Sequence, residues 1–259
     1  MFSLGIDKKM LLQLTKNDIR EKYLGSYLGI FWAFIHPAIT ILVFWFVFQF
    51  GFRSVPVGDY PYVVWLISGI IAWFFFSEAL GSGTHAIAGN SFLVKKVSFR
   101  VGLLPVIKIL SALLIHVFFV LIVLIINWFY GYPPTIYSLQ LFYYLFGLLL
   151  LLLGLTWFTS SIFIFFKDTS QFISIAISLG FWITPVFWSL GMVPDKYKFL
   201  FELNPMVYIV EGYRSSFIYH QWFWESPLNM VAFWLEVISV FFIGVFVFKR
   251  LRPQFADVL

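Results

Sequence analysis

Residues 109–166 read ILSALLIHVFFVLIVLIINWFYGYPPTIYSLQLFYYLFGLLLLLLGLTWFTSSIFIFF, a run that contains no Asp, Glu, Lys or Arg. Its one interruption is NWFYGYPP at residues 127–134, where a glycine and two prolines are typical of a turn. At about 1.5 Å of helical rise per residue, the run is roughly twice as long as one hydrocarbon layer of ~30 Å requires. We therefore interpret it as two membrane-spanning helices joined in a hairpin by the turn.

The composition of the whole chain also indicates a membrane protein. The 259 residues are 61% hydrophobic and 11% charged, whereas soluble domains are about 25% charged. Lipid cannot hydrogen-bond the backbone, so a spanning segment must be a helix or part of a closed barrel, and continuous apolar runs favour helices. We predict an all-α polytopic membrane protein in which residues 1–259 form a single transmembrane domain.

Apolar runs bounded by charges and turn residues predict six transmembrane helices. The predicted spans are residues 28–52, 62–80, 101–127, 138–166, 170–190 and 228–248. Residues 1–26 mix charged and apolar side chains, which predicts an N-terminal helix lying in the membrane interface. Residues 195–220 have a second amphipathic pattern, which predicts short external helices between spans five and six.

Three charged residues near or within the spans need an explanation. Glu78 and Lys108 lie near span ends, and we expect them to reach water. Glu236 lies inside span six, so we expect it to face the protein interior and to be paired or protonated.

Basic residues are distributed unevenly over this predicted topology. Thirteen of the 17 Lys and Arg residues fall in segments that share one side of the membrane, which is the positive-inside pattern. These residues are Lys8, Lys9, Lys16, Arg20, Lys22, Lys95, Lys96, Arg100, Lys108, Lys167, Lys249, Arg250 and Arg252. Both termini are therefore predicted to be cytoplasmic, and the net charge of +5 indicates orientation in a membrane, not a nucleic-acid partner.

Several chemistries lack the residues that they need. The chain has no cysteine, which excludes disulfides and thiol nucleophiles. Its four histidines lie in different segments without paired metal-ligand spacing, so we expect no metal site. No G-x-x-x-x-G-K-[ST] loop is present, so nothing in this chain is expected to cradle a nucleoside triphosphate.

An ordered series of short motifs resembles the membrane (permease) subunit of type-2 ABC exporters. The series comprises Tyr23, Ser26, Leu28-Gly29, Trp32 and Pro37, then FKD at residues 166–168, TPV at 184–186, NPM at 204–206, and Arg214. The likeness extends over residues 17–252 and is closest to the branch that exports O-antigen, capsule or teichoic-acid polysaccharide. The sequence differs from the family pattern at Lys167, where an Arg is expected. Lysine keeps the positive charge but cannot form the bidentate hydrogen bonds of a guanidinium.

The resemblance implies a transport subunit of the bacterial inner (plasma) membrane, not an enzyme. It implies a homodimer that encloses a path for a polysaccharide such as a lipid-linked O antigen, with two copies of a separate ATP-binding subunit beneath it. This chain would then hold no cofactor, because ATP and magnesium would bind the partner ATPase. Membrane lipid is a further expected partner.

A path for a hydroxyl-rich polymer needs polar groups for hydrogen bonds and aromatic faces for stacking. Two spans present such side chains on one face at helical spacing. On span one they are Trp32, His36 and Thr40, which align with Val47 and have Phe44 at the edge of the face. On span five they are Ser170, Ser174, Ser178, Phe181, Pro185 and Trp188. We predict that they line the path. The alternative is that the small residues serve close helix packing and the aromatic residues mark the membrane interface.

Residues 90–100 are predicted to form a short coupling helix that seats in a groove of the ATPase. They combine apolar and basic side chains, and the tight turn at Lys167-Asp168 is expected to add contacts. The residues concerned are Asn90, Phe92, Lys95, Lys96, Arg100, Lys167 and Asp168. The alternative is a lipid-headgroup anchor, because cationic residues near a membrane attract anionic lipid in any case.

The second external helix is expected to lie in the membrane surface and to shape an external gate. Its apolar arc consists of Met206, Ile209, Val210, Tyr213 and Phe217. Off this arc lie Tyr208, Glu211 and Arg214, which we assign to the gate. The alternative for Glu211 and Arg214 is a solvated i,i+3 ion pair contributing a few tenths, ~0.3 kcal/mol, to stability.

Two other functions stay open at this point. The same scaffold could export a drug or a small lipid, although a path rich in aromatic and hydroxyl groups favours a polymer. A membrane-embedded acyl or glycosyl transferase would need a cluster of Asp, Glu or His at the membrane face, which the sequence does not show.

Overall fold

The computed structural model describes residues 8–23, 27, 29–51, 57–95 and 99–259. Within these ranges the secondary structure is helical, and the sole β pairing is an isolated bridge between Val57 and Tyr60, which confirms the all-α class. The α-helices are α1 (Lys8–Tyr23), α2 (Trp32–Phe46), α3 (Tyr62–Thr84), α4 (Ser91–Val94), α5 (Leu103–Phe129), α6 (Leu141–Phe165), α7 (Thr169–Ile183), α8 (Asp195–Glu202), α9 (Pro205–Arg214), α10 (Pro227–Leu251) and α11 (Phe255–Val258). A 3-10 turn precedes α2 and a π-helical turn follows it, so that helix is continuous over Gly29–Gly51.

Five helical segments are long and apolar enough to cross a membrane. They are Gly29–Gly51, Tyr62–Thr84, Leu103–Phe129, Ile136–Phe165 and Pro227–Val258. α7 has only 15 residues, about 22 Å of helical rise against a hydrocarbon layer of ~30 Å. The helix expected over residues 170–190 ends early because Thr184 is extended (φ −73°, ψ 135°) and precedes Pro185; proline disfavours helical geometry in the residue before it.

α3 is the central helix of the bundle. It packs against α2, α5, α6, α7 and α9, and its side chains are buried along nearly its whole length. A helix that is apolar on every side is stable only when its surroundings cover every side. α2 and α7 differ sharply, because neither contains a buried residue although all their residues are described.

α6 and α10 pack closely through facing glycines. A Cβ atom added to Gly154 would lie 2.7 Å from the Cα of Phe241 and 2.7 Å from the carbonyl oxygen of Val240, and one added to Gly244 would overlap the backbone of Gly154. Small residues allow the backbones of membrane helices to approach closely. The contact between these two helices therefore depends on glycine at both positions.

Glu236 is half-buried on α10, where a charge is costly. Its Oε2 atom is buried and has no hydrogen-bond partner among the described residues. The expected pairing is therefore not seen at this oxygen of the single chain.

α1 is fastened to the bundle by two ion pairs. Lys22 pairs with Glu78 of α3, and Asp18 pairs with Lys108 of α5. The side chains of the first pair are 41% and 43% exposed, whereas those of Lys108 and Asp18 are 27% and 14% exposed. Glu78 therefore reaches water, as expected, but α1 also supplies an ion-pair partner to Glu78 and to Lys108, which the sequence pattern did not indicate.

We expect the two pairs to stabilise the protein unequally. Lys108→Met leaves the mostly buried Asp18 without its cation and should cost about 1.5–3 kcal/mol, the range for hydrogen bonds to charged groups. Lys22→Met breaks an exposed pair and should cost about 0.2–1 kcal/mol. Thermal unfolding of the detergent-purified variants, followed by fluorescence-detected size exclusion, measures both losses; equal losses would contradict this assignment.

Candidate functional site

α2 and α7 lie beside each other on the surface of the bundle. The ring centroids of Phe44 on α2 and Phe181 on α7 are 5.5 Å apart, and both rings contact Phe187, at 5.6 and 5.4 Å. These two helices carry most of the residues predicted to line a path. Neither helix contains a buried residue in the single chain.

The other predicted residues of α2 lie nearer its start. Trp32 and His36 line a cleft of about 310 Å³ between α2, α3 and α5. Trp32 is 47% exposed, and the Thr40 hydroxyl donates to the carbonyl of His36 at 2.9 Å. This half of α2 therefore presents an indole, an imidazole and a hydroxyl oxygen with a free acceptor position.

On α7, the predicted path residues separate into two groups. Ser174 and Ser178 are exposed on the helix. Pro185 and Trp188 do not continue their face, because α7 ends at Ile183. Pro185 is buried, and the Trp188 indole donates to a carbonyl in the last turn of α7 at 3.0 Å. The predicted helical arc is therefore wrong beyond Ile183.

Arg214, the last residue of α9, is completely buried (0% exposed). Its Nη1 and Nη2 donate to the carbonyls of Pro185 and Val186, at 2.7 Å each. Nε donates to the carbonyl of Trp65 at 3.4 Å, and Nη1 also donates to Glu211 at 2.7 Å. Burying a guanidinium is costly unless it is paired and hydrogen-bonded, and both conditions are met here.

Two residues of α3 form the slot that accepts this side chain. The guanidinium carbon lies 3.5 Å from the centre of the Trp65 ring, a cation–π contact. A Cβ at Gly69 would lie 2.8 Å from Nη2 of Arg214, so glycine leaves the necessary room. Sequence reasoning missed Trp65 and Gly69 because neither departs from the apolar pattern of α3. The one feature of the sequence that could have indicated a slot on α3 is a glycine placed one helical turn after a tryptophan.

Two motifs of the family resemblance meet at this cluster. Asn204 caps α9 by accepting a hydrogen bond from the backbone N–H of Met206 at 3.0 Å, with Pro205 at the first helical position. The Asn204 amide also donates to the Thr184 hydroxyl at 2.9 Å. The segment after α7 is thus tied to the start of α9 by Asn204 and to its end by Arg214.

The apolar arc of α9 is covered by the protein itself. Met206, Ile209, Val210, Tyr213 and Phe217 are all buried. α9 packs against α3, α6 and α10, and the hydroxyl of Tyr213 lies 2.9 Å from His116 Nε2 of α5. The expectation that this arc rests on the membrane surface is therefore wrong, because the amphipathic pattern marks contact with the protein core.

The three predicted gate residues have different environments. Arg214 is an internal anchor, so the interpretation of a solvated ion pair with Glu211 is wrong. The Glu211 side chain remains 30% exposed. Tyr208 is partly buried, with its hydroxyl 3.2 Å from that of Tyr143, and burial raises the pKa of Tyr208. Its hydroxyl therefore stays protonated at neutral pH and can donate.

At the opposite end of α3, a second apolar core holds the predicted coupling segment. Its buried members are Ala86, Ile87, Val94, Val101, Leu104, Ile107, Ile164, Phe248 and Phe255. Among the described residues of this segment, 90–95 and 99–100, α-helix covers Ser91–Val94, which is a single turn. The C-terminal helix α11, which the sequence pattern did not predict, completes this core through Phe255 (1% exposed).

The predicted coupling residues form an exposed, mostly basic surface around this core. The exposed ones are Phe92, Lys95, Arg100, Lys167 and Asp168. Asn90 instead holds the turn, because its side-chain amide donates to the carbonyl of Ala86 at 2.9 Å. Lys167 lies over the ring of Phe163 at 4.8 Å. Lys96 lies outside the described residues.

A bundle of long apolar helices, with short helices anchored to its core by buried polar groups, defines a polytopic membrane protein. The chain belongs to the ABC-2 type transporter family, whose family model matches residues 10–218. The resemblance deduced from the short motifs is therefore confirmed. The chain is a multi-pass transport permease subunit of the bacterial inner membrane.

Curated relatives align with nearly the whole chain. One is the O-antigen export system permease protein RfbA of Klebsiella pneumoniae, 24% identical over 266 residues, which cover 100% of this chain and 98% of the relative. The RfbA protein of Myxococcus xanthus is 27% identical over 250 residues, 96% of this chain and 94% of the relative. The polysialic acid transport protein KpsM of Escherichia coli is 24% identical over 213 residues, 82% of each chain.

Proposed function

We propose that this chain is the permease half of an ATP-driven exporter that moves a polysaccharide, such as a lipid-linked O antigen, across the inner membrane. The observation that carries the proposal is the full-length similarity to permeases named for O-antigen export. No P-loop occurs in the sequence. ATP and magnesium would accordingly bind a separate partner subunit, and this chain would need no cofactor of its own.

In the proposed topology, α7 and the segment after it form span five, which brings the number of spans to six. α8 and α9 then lie on the external side, and α1, the coupling surface and both termini lie in the cytoplasm, as the positive-inside pattern predicts. The ion pairs of Lys22 and Lys108 support a position of α1 at the cytoplasmic ends of α3 and α5.

Two copies of the chain would enclose the path between their α2 and α7 helices. Both helices are uncovered in the single subunit. An imidazole facing lipid is costly, whereas a water-filled path can solvate it, and His36 is exposed on α2. The exposed hydroxyl face of Ser174 and Ser178 on α7 offers acceptors to a passing sugar.

Movement of the ATPase would reach the path through the second apolar core. Val94 belongs to the same buried cluster as Ile107 of α5 and Ile164 of α6. A push on the exposed Phe92 and Lys95 would therefore displace the ends of two spanning helices together. α7 begins four residues after the end of α6, so this displacement would also shift the proposed path helix.

Purification of the tagged chain from its native membranes tests the subunit composition. We expect native mass spectrometry to detect two copies of the chain with two copies of an ATP-binding subunit. Recovery of the chain alone, or together with sugar-transfer enzymes only, would contradict the proposal and favour the membrane-embedded transferase.

The absence of cysteine allows a direct test of the path. Ser178→Cys, on the exposed face of α7, should react with a membrane-impermeant thiol reagent, because a path contains water. Phe246→Cys, on the exposed face of α10, serves as the control and should stay unreactive in lipid. If both thiols react at the same rate in the intact complex, α7 does not line a path.

A further inference from the structure

A cleft of about 190 Å³ lies between α9, the segment at residues 221–226 and the start of α10. In the proposed topology it opens on the external side. Its lining includes the carboxylates Glu202, Glu211 and Glu225 and the amides Gln221 and Asn229. Of the lining residues, Tyr208 and Glu211 are predicted gate residues, whereas Glu202, Glu225, Gln221 and Asn229 have no role in the proposed export function.

Aromatic rings form a second part of the lining, and packing holds them in place. Tyr208 stacks on Phe233 with centroids 4.7 Å apart, and Phe223 stacks on Tyr143 at 3.9 Å. Trp222, also in the lining, has its backbone N–H bonded to Glu225 Oε1 at 2.9 Å. Rings fixed in this way give a preformed wall, which loses little conformational entropy when a ligand arrives.

The side chains that line the cleft carry negative charge only. All of its lining residues are described, and they include three carboxylates but no Lys, Arg or His. Arg214, the ion-pair partner of Glu211, is completely buried and already donates to two backbone carbonyls. An acidic ligand would therefore meet uncompensated like charge.

A metal ion is a poor occupant of this cleft. The described residues contain no group of three His, Cys, Asp or Glu side chains that could hold one. Glu211 and Glu225 each use one oxygen, Oε1, in a bond within the protein. Their second oxygens, and the carboxylate of Glu202, can accept hydrogen bonds from hydroxyl or ammonium donors. Carboxylates and amides beside aromatic walls suit a sugar, whose hydroxyls donate and whose C–H faces pack on rings.

We propose that this cleft is a saccharide-binding subsite that accepts neutral or amino sugars and rejects acidic ones. The inference rests on the proposed polysaccharide function and narrows its substrate class. The proposed preference for neutral or amino sugars would distinguish the substrate of this chain from that of the Escherichia coli relative, whose name specifies polysialic acid, an acidic polymer. The subsite would hold a sugar of the emerging chain beside α9, next to the anchored segment at residues 184–187.

Saturation-transfer NMR on the full-length chain in lipid nanodiscs tests the subsite without any ATPase. The probes are mannotriose (neutral), glucosamine trimer (cationic) and trigalacturonate (acidic). We expect signals from the first two trimers and none from trigalacturonate. Trp222→Leu, which removes one wall, should weaken both signals about tenfold, the effect of losing one moderate contact.

A matched pair of charge reversals on α8 tests the selectivity. Glu202→Lys reverses a charge of the cleft, whereas Asp195→Lys makes the same change at the far end of the same helix, outside the lining. Only Glu202→Lys should weaken glucosamine-trimer binding and admit trigalacturonate. Wild-type binding of trigalacturonate, or no binding of any trimer, would overturn the subsite. Either result would leave the export proposal to be judged by its own transport assay.

Discussion

Arg214→Ala is expected to destabilise the protein by about 3–5 kcal/mol, because it leaves two buried carbonyls and a carboxylate without their donor. The carbonyls belong to Pro185 and Val186, in the segment that follows α7. For a protein of this size the loss corresponds to roughly 10 °C in apparent melting temperature. Fluorescence-detected size exclusion after heating gives this value directly. We also expect loss of export, since the end of α7 would no longer be fixed to α9.

Two further substitutions distinguish an anchor from a simple charge effect. Arg214→Lys keeps the charge but cannot reach both carbonyls with a planar fork, so it should lose most of the stability. Glu211→Gln keeps an acceptor at a side chain that is 30% exposed, so it should cost ~1 kcal/mol or less. If Arg214→Ala melts at the wild-type temperature, the buried cluster does not anchor α9.

Gly244→Leu is expected to prevent correct packing of α6 against α10. A Cβ at this position would overlap the backbone of Gly154, and backbone atoms cannot move aside as a flexible side chain can. Overpacking of a well-packed core costs about 1–3 kcal/mol even where side chains can adjust, so a larger cost is expected here. The measurement is the yield of monodisperse protein after extraction, which should fall to a small fraction of wild type.

Gly81→Ala is the matched control for this experiment. Gly81 also lies inside a spanning helix, α3, but an added Cβ there would meet no atom within 4 Å. Alanine is favoured over glycine in a helix by about 1 kcal/mol, so this variant should be as stable as wild type or slightly more stable. Normal yield of Gly244→Leu would show that the two helices do not meet at this glycine.

The long apolar runs made the helical bundle predictable, because lipid forces the backbone of such runs into helices. The run at residues 109–166 became α5 and α6 with a turn between them, as predicted. α7 was harder to predict, because composition alone continues the span to residue 190. A single backbone constraint, Thr184 before Pro185, ends the helix seven residues earlier.

The motifs that form the cluster around Arg214 were predictable from the sequence, but their spatial arrangement was not. The TPV and NPM motifs and Arg214 were each visible in the sequence, yet TPV begins 20 residues before NPM and 30 residues before Arg214. Their convergence depends on Trp65 and Gly69, whose roles appear only when the buried guanidinium is seen between them. An amphipathic pattern cannot distinguish a lipid surface from a protein core, and the apolar arc of α9 was therefore wrongly assigned to contact with the membrane surface.

Together with its ATPase, this chain is proposed to move a polysaccharide across the membrane. The most direct measurement uses proteoliposomes with the ATP-binding side outward and lipid-linked O antigen in the outer leaflet. With the wild-type complex, we expect ATP to make the polymer resistant to an added glycosidase; with an ATPase variant unable to hydrolyse ATP, the polymer should stay sensitive. A polymer that stays fully accessible while the wild-type complex hydrolyses ATP would contradict the export function.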